Sequence, residues 1–191
     1  MTFWDRVKKF FGLADKWIDY EFIYGSHNVE KGSDSQGYYG TDVWSTIIEK
    51  YDIKAKLWKF FRANNQAMGW ENLVIYGEIY GPGIQKNYDY GLEEIQFAGF
   101  DSTINGAYES TEAACLTFGF LDLPYVPILH IGPWSQEVQD KHTFNNSIEG
   151  TKIPHEGIVI KVHTGDRRRV AKVINPDYLI YGEKHDVGDS H

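Results

Sequence analysis

The first half of the chain carries its apolar residues mainly at helical spacing. Residues 4–11 place large apolar side chains on one face and stop before Gly12, which predicts a short amphipathic helix. The alternating aromatic run at 19–24 predicts a strand leading into the polar turn 25–28. Residues 41–66 return to helical periodicity. The candidate core positions of that stretch are Val43, Ile47, Ile48, Tyr51, Leu57, Phe60 and Phe61.

The second half has the pattern of a sheet. Residues 72–76 and 93–100 are apolar runs on either side of a Gly-Pro-Gly turn at 81–83. The β-branched runs 157–162 and 168–174 are joined by a short polar connection and predict a β-hairpin. The other predicted elements are a small helix at 111–116, an extended segment at 123–130, a helix at 135–141 with Ser135 as its N-cap, and a polar tail at 183–191.

Composition favours one globular domain over residues 1–182. The chain has 191 residues, of which 42% are hydrophobic and 16% aromatic. No stretch approaches the roughly 20 apolar residues of a spanning helix, and no signal peptide is evident, so we expect a cytoplasmic protein without a membrane partner. The net charge of −8 argues against nonspecific coating of nucleic acid, so any such contact is expected to be local. The single Cys115 is expected to be a buried structural thiol.

The first candidate for chemistry is Glu78, which lies between two glycines in Tyr76-Gly77-Glu78-Ile79-Tyr80-Gly81. Glycines allow a ligand to approach the backbone, and the carboxylate accepts hydrogen bonds from hydroxyls such as those of a ribose. The alternative for Glu78 is an exposed acid at the end of a strand.

The second candidate combines Glu156, Lys161 and Lys172. Glu156 precedes an apolar strand, Lys161 follows it, and Lys172 lies on the strand predicted to pair with it. Two lysines on paired strands can neutralise phosphates, and a carboxylate beside them can hold a divalent cation. The alternative is a set of solvated charges at strand ends.

An aromatic group and an arginine run complete the candidates. Phe97 and Phe100 flank Gly99 and precede Asp101, and an exposed ring can stack on a base, although a strand Phe is more often core. Residues 167–169 are three arginines that could reach an RNA backbone or form a solvated turn. The histidines form no zinc motif, and the sequence has neither a P-loop nor a nucleophile elbow.

Taken in order, these motifs resemble the motif series of covalent nucleotidyltransferases, in particular the RNA ligase 2-like family of ATP-dependent RNA ligases. The resemblance spans residues 25 to about 179. It is carried by Gly25-Ser26-His27-Asn28, Tyr76-Gly77-Glu78-Ile79-Tyr80-Gly81, Phe97-Ala98-Gly99-Phe100-Asp101, Glu156-Gly157-Ile158-Val159-Ile160-Lys161 and Ala171-Lys172-Val173.

The resemblance implies an α+β nucleotidyltransferase fold, with ATP-grasp-like antiparallel sheets, flanking helices and a missing N-terminal part. It implies ATP or AMP and Mg2+ or Mn2+ as cofactors, and RNA 5′-phosphate and 3′-hydroxyl ends as partners. Glu78 would bind the AMP ribose and Phe97 would stack on adenine. The roles of the other site residues are also implied by the resemblance: His27 near the nucleotide, Glu156 on the metal, and Lys161 and Lys172 on the phosphates.

Three departures accompany the resemblance. His27 stands where the family commonly has arginine, and Ile174 replaces the second lysine of a K-x-K motif. No lysine stands in the K-x-D-G or K-x-H-G setting that receives AMP, and Lys9 in Lys-Phe-Phe-Gly is a poor substitute. We therefore expect a chain unable to adenylate itself, and an upstream-encoded polypeptide that supplies the lysine is a candidate partner. The alternatives are a noncatalytic nucleotide- or RNA-binding protein and an inactive truncation.

Overall fold

The computed structural model describes residues 20–26, 29–31, 43–144, 146–164 and 167–189. Residues up to 42 and residues from 43 onwards form separate compact units and are described separately. In the first unit, strands β1 (Tyr24–Ser26) and β2 (Val29–Lys31) pair antiparallel. The predicted helix at 4–11, Lys9 and His27 lie outside the described residues.

The stretch predicted as helical at 41–66 forms two helices, α1 (Val43–Lys50) and α2 (Ile53–Met68). The break falls at Asp52, whose φ of 51° is left-handed and cannot continue a right-handed helix. Ile47 and Phe61 are the most deeply buried of the predicted core positions, at 2% and 7% exposure. The helical pattern therefore identifies the buried side but not the interruption.

The central sheet consists of β3 (Leu73–Tyr80), β5 (Gln96–Ile104) and β6 (Ala107–Tyr108), all antiparallel. A two-residue strand, β4 (Gln85–Lys86), lies between β3 and β5 in the sequence. The β3–β5 pairing shifts so that consecutive β3 residues face Asp101 and Gly99, which leaves Phe100 as the extra residue of a β-bulge. Both long strands begin and end later than predicted, because residues 77–80 and 101–104 also take part in the pairing.

Helix α3 (Thr111–Phe120) packs on β5, with Phe118 fully buried. A Cβ at Gly99 would lie 1.9 Å from the Phe118 ring, so a glycine is needed for this close contact. Cys115 is a free thiol that is only partly buried, so the expectation of a buried thiol was wrong. The reason is its place on the helix, since the fully buried positions Ala114 and Phe118 flank it.

The predicted capped helix and hairpin are both confirmed. Helix α4 (Gln136–Thr143) begins after Ser135, whose hydroxyl accepts a hydrogen bond from the Val138 N–H at 3.2 Å. Strands β7 (Gly157–Thr164) and β8 (Arg167–Ile174) pair along their whole length.

The C-terminal part is more ordered than the predicted tail. Helix α5 (Pro176–His185) continues beyond residue 182, and β9 (Gly188–Asp189) pairs with β4. Asn175 caps the helix by accepting a hydrogen bond from the Asp177 N–H at 3.0 Å, and Pro176 suits the first helical turn.

The described ranges thus contain five α-helices and antiparallel sheets, which confirms the α+β class. None of the helices in these ranges combines the length and apolar character needed to cross a membrane.

Candidate functional site

The β7–β8 hairpin gathers three cations on one face. Lys161, Arg168 and Lys172 share this face because directly paired residues point the same way and side chains alternate along each strand. We call this surface the basic face. The cross-strand pairs that define it are Val159↔Lys172, Lys161↔Val170 and His163↔Arg168.

The basic face meets one side of the β3–β5 sheet through side-chain contacts. Tyr76 pairs with Asp101, and Glu78 lies two residues further along the same strand, so all three project from one side. Both Lys161 and Arg168 reach Asp101. Residues from four strands therefore meet at one place.

Lys161 is held in a fixed position by two acceptors from β5. Its ammonium donates to the Phe100 carbonyl and to Asp101 Oδ1, the latter at 2.9 Å, and its side chain is only 13% exposed. The bulge at Phe100 breaks the regular pairing there, and the same carbonyl also accepts from the Tyr125 hydroxyl at 3.0 Å. The Phe100 ring centroid is 5.8 Å from the Lys161 ammonium, at the range of a cation–π contact.

Arg168 contacts the other oxygen of the same carboxylate. Its guanidinium donates to Asp101 Oδ2 and lies 4.3 Å from the centroid of the Tyr108 ring. Tyr108 in turn stacks on Tyr76 with ring centroids 5.6 Å apart. Arg168 is therefore directed inward, whereas Arg169 is exposed and lies on the opposite face of the hairpin. The side chain of Arg167 is outside the described residues.

Two carboxylates and one lysine form a second cluster. Lys172 forms an ion pair with Glu156, in which the side chains are 52% and 25% exposed. Burial raises the pKa of Glu78, the negative charge of Glu156 raises it further, and Lys172 opposes both effects. The Glu78 side chain is still exposed to solvent, so its desolvation is partial. We call Glu78 and Glu156 the acidic pair.

The pKa of Lys172 is affected by the same two acids. Burial tends to lower the pKa of Lys172, but the hydrogen bond to Glu156 and the charges of Glu156 and Glu78 outweigh it, so the pKa is raised. Lys172 is thus kept in its charged form beside the acidic pair.

Tyrosines surround the acidic pair. Burial raises the pKa of Tyr90, and the charges of Glu78 and Glu156 raise it further, so the hydroxyl stays protonated as a potential donor. Tyr88 is 1% exposed, donates to the Pro154 carbonyl at 2.7 Å and packs edge-on against Tyr90. This packing fixes the aromatic surroundings of the cluster.

Phe97 does not join these residues. It pairs with Ile79 and shares the sheet side of Gly77, which is opposite to that of Glu78. The ring is 7% exposed and fills the space over Gly77, where a Cβ would lie 2.2 Å from it. The space expected to admit a ligand at Gly77 is therefore occupied by Phe97 on that side.

The acidic pair could supply carboxylate oxygen to a divalent cation. Glu78 and Glu156 interact electrostatically, and a cation would relieve the repulsion that raises the pKa of Glu78. No group of three His, Cys, Asp or Glu side chains suited to a metal occurs among the described residues. A hard cation that keeps several waters and uses one or two carboxylates with substrate phosphates, as Mg2+ does, fits this donor set.

Two open surface depressions lie away from these residues. One of about 530 Å³ borders Tyr88 and Tyr181, and another of about 510 Å³ borders Tyr51 and Leu123. Neither is lined by the basic face or the acidic pair. What marks the candidate site is the convergence of its charged side chains.

Sequence reasoning singled out the lysines and acids but missed the joint role of Asp101 and Arg168. Asp101 is 4% exposed although it is charged, and an acid inside an apolar strand signals a buried partner. Which cation would supply that partner depends on how the hairpin meets the sheet, and the sequence does not specify this.

One comparison with known proteins identifies a family. The model of the RNA ligase family matches residues 21–174, which include all strands from β1 to β8. Comparison with curated proteins and with solved structures gives no match.

Proposed function

Because the chain belongs to the RNA ligase family, we propose that it binds an adenylated RNA end between the basic face and the β3–β5 sheet. It would then promote the attack of an RNA 3′-hydroxyl on the 5′-phosphate of that end, which forms a phosphodiester bond and breaks the phosphoanhydride bond with release of AMP. The observation that carries this proposal is the convergence of Lys161 and Lys172 with Glu78 and Glu156. Cations next to carboxylates are the donor set that phosphate and a divalent metal require together.

Lys161 and Lys172 are the proposed phosphate ligands. Lys161 has two of its three ammonium donors committed to β5, which leaves one for a phosphate oxygen without reorganisation of the side chain. Preorganised positive charge stabilises the negative charge that develops during phosphoryl or adenylyl transfer. Lys172 is more exposed and adjusts more freely.

Glu78 is the proposed acceptor for ribose hydroxyls. Of the two aromatic candidates on β5, we propose that Phe100 rather than Phe97 stacks on adenine. Phe100 lies at the bulge beside Lys161 and is partly exposed, whereas Phe97 is buried on the other side of the sheet. His27 remains a proposed nucleotide contact on the strength of its motif alone.

Glu156, with Glu78 beside it, is the proposed holder of Mg2+ or Mn2+. A bound divalent cation would neutralise phosphate charge and act as a Lewis acid. The role of Glu156 itself is to present carboxylate oxygen next to Lys172, while the ion pair between them fixes its orientation.

The proposal concerns the steps that follow formation of a lysine adenylate. The printed sequence has no lysine in a K-x-D-G or K-x-H-G setting, and Lys9 lies outside the described residues. Use of ATP by this site would require such a lysine, and an upstream-encoded polypeptide that supplies it is a proposed partner.

The test uses RNA that is already adenylated at its 5′ end. The full chain is incubated with this RNA, an acceptor 3′-hydroxyl strand and Mg2+, without ATP, and both binding and sealing are measured. Lys161→Met and Lys172→Met should each weaken binding by about tenfold or more, as expected for loss of a charge-assisted hydrogen bond. Lys59→Met is the matched control, because this exposed lysine lies on α2, outside the proposed site.

The possible outcomes are distinct. Sealing that depends on both lysines supports the proposal, and binding without sealing supports a noncatalytic RNA-binding protein. Absence of binding would refute the proposal. A parallel incubation with labelled ATP, with and without an upstream-encoded polypeptide, shows which chain carries the lysine adenylate.

A further inference from the structure

Arg168 is an internal cation that no family motif assigns. Its side chain is 21% exposed, its guanidinium lies over Tyr108, and one amino group contacts Asp101. The Nε atom is buried and has no hydrogen-bond partner within the described part of the chain. Arg168 is therefore fixed by its neighbours and has little freedom to follow an RNA backbone.

The charge balance around Asp101 depends on Arg168. Asp101 has a side chain that is 6% exposed and contacts Lys161 through one oxygen and Arg168 through the other. Two cations and one carboxylate leave one positive charge in excess. If Arg168 were neutral, Asp101 would fully offset Lys161, and a phosphate would compete with Asp101 for the same ammonium.

Strand β8 has an apolar residue at a position where the resemblance would place a lysine. Ile174 stands at the second lysine position of the K-x-K motif, and it lies on the same side of β8 as Lys172 and Arg168. Arg168 and Lys172 are therefore the two cations that β8 contributes to the basic face.

We propose that Arg168 is a positioning residue that satisfies Asp101 and so leaves Lys161 available to bind a phosphate of the adenylated RNA end. This inference rests on the proposed function. The role is indirect, because Arg168 acts through Asp101 and Lys161 rather than by touching the RNA.

A purely structural role for Arg168 gives different expectations. Replacement would then act through loss of stability, and removal of Asp101 as well would not improve binding. In the proposed role, removal of Asp101 from a variant that already lacks the Arg168 charge frees Lys161 again. The double variant should therefore bind better than the single variant.

The experiment measures binding of a fluorescent, 5′-adenylated RNA oligonucleotide to the full chain in Mg2+ by anisotropy, with urea unfolding measured in parallel. Arg168→Gln should raise Kd by about tenfold, whereas Arg168→Lys, which keeps the positive charge that offsets Asp101, should stay within about threefold of the wild type. Adding Asp101→Asn to Arg168→Gln should recover most of the lost affinity. Arg169→Gln is the matched control, since this neighbouring arginine is exposed on the opposite face.

Each outcome decides the question. Failure of the wild type to bind would overturn the proposed function and this inference with it. Wild-type binding combined with an unchanged Kd in Arg168→Gln would overturn the inference alone, as would failure of Arg168→Lys to restore affinity in a folded protein. If the variant with both substitutions does not fold, the comparison of Arg168→Lys with Arg168→Gln still decides.

Discussion

Phe97 and Phe100 offer the sharpest test of the site, because the structure gives the two rings opposite environments. Phe97 is 7% exposed, lies over Gly77 and has the Tyr51 ring centroid 6.1 Å away. Phe100 is the bulge residue, partly exposed beside the Lys161 ammonium. Replacing each ring by leucine removes the flat π-surface needed for stacking but keeps an apolar side chain.

The expected magnitudes follow from these environments. Truncation of a buried Phe to Ala costs about 3–5 kcal/mol, and Leu retains part of the volume, so Phe97→Leu should cost about 1–2 kcal/mol. Each kcal/mol corresponds to about 2–4 °C in Tm for a chain of this size. Phe100→Leu should cost under about 1 kcal/mol of stability. Loss of a base stack of about 1–3 kcal/mol should nevertheless weaken the binding of adenylated RNA to Phe100→Leu roughly 5- to 150-fold.

The assay combines urea unfolding, followed by tryptophan fluorescence, with anisotropy of adenylated RNA. Binding is compared at a urea concentration and temperature at which every variant is folded. Each substitution is the control for the other, because both replace Phe by Leu on the same strand. The reasoning is refuted if Phe97→Leu keeps wild-type stability and loses binding while Phe100→Leu binds normally.

Two further predictions concern stability. Because the pKa of Glu78 is raised, the folded state resists its ionisation, and stability is lost as pH rises from the ordinary carboxyl pKa through the raised one. Glu78→Gln should therefore stabilise the protein by roughly a few tenths of a kcal/mol at pH 7, after solvent screening, but not below about pH 4. The same difference in urea midpoint between variant and wild type at both pH values would contradict this. Asn175→Ala should cost about 1–3 kcal/mol in urea unfolding, because the buried amide caps α5 and donates to the His155 carbonyl at 3.0 Å; a change below about 0.5 kcal/mol would contradict it.

The sequence predicts elements well where local signals and burial agree. The β7–β8 hairpin has two β-branched runs and a short polar connection, and α4 has a serine cap whose hydrogen bond the structure contains. Helix α5 was missed because its residues lack a strong apolar periodicity, although Asn175 and Pro176 are start signals. Local caps were more informative there than hydrophobic pattern.

The arrangement of the site depends on facts that a linear pattern does not contain. Alternation alone would place Phe97 and Asp101 on the same side of the sheet, but the extra residue at Phe100 shifts the register and puts Asp101 on the side of Tyr76 and Glu78. The Asp101 contacts with Lys161 and Arg168 join residues 60 and 67 positions apart. They require the hairpin to meet the sheet, which is a property of tertiary packing.

Charge separation within the site connects its two clusters to one function. Around Asp101, two cations and one carboxylate leave an excess of one positive charge. Around Lys172, one cation and two carboxylates leave an excess of one negative charge. The six groups together are neutral, so a phosphate gains little net attraction from the site as a whole. It is nevertheless attracted to the cluster around Asp101, where positive charge is in excess. A divalent cation favours the other end, and its two positive charges would make the whole site cationic. On the proposed function, this arrangement would let an acidic chain bind an RNA end locally, with the divalent cation adding positive charge to the site.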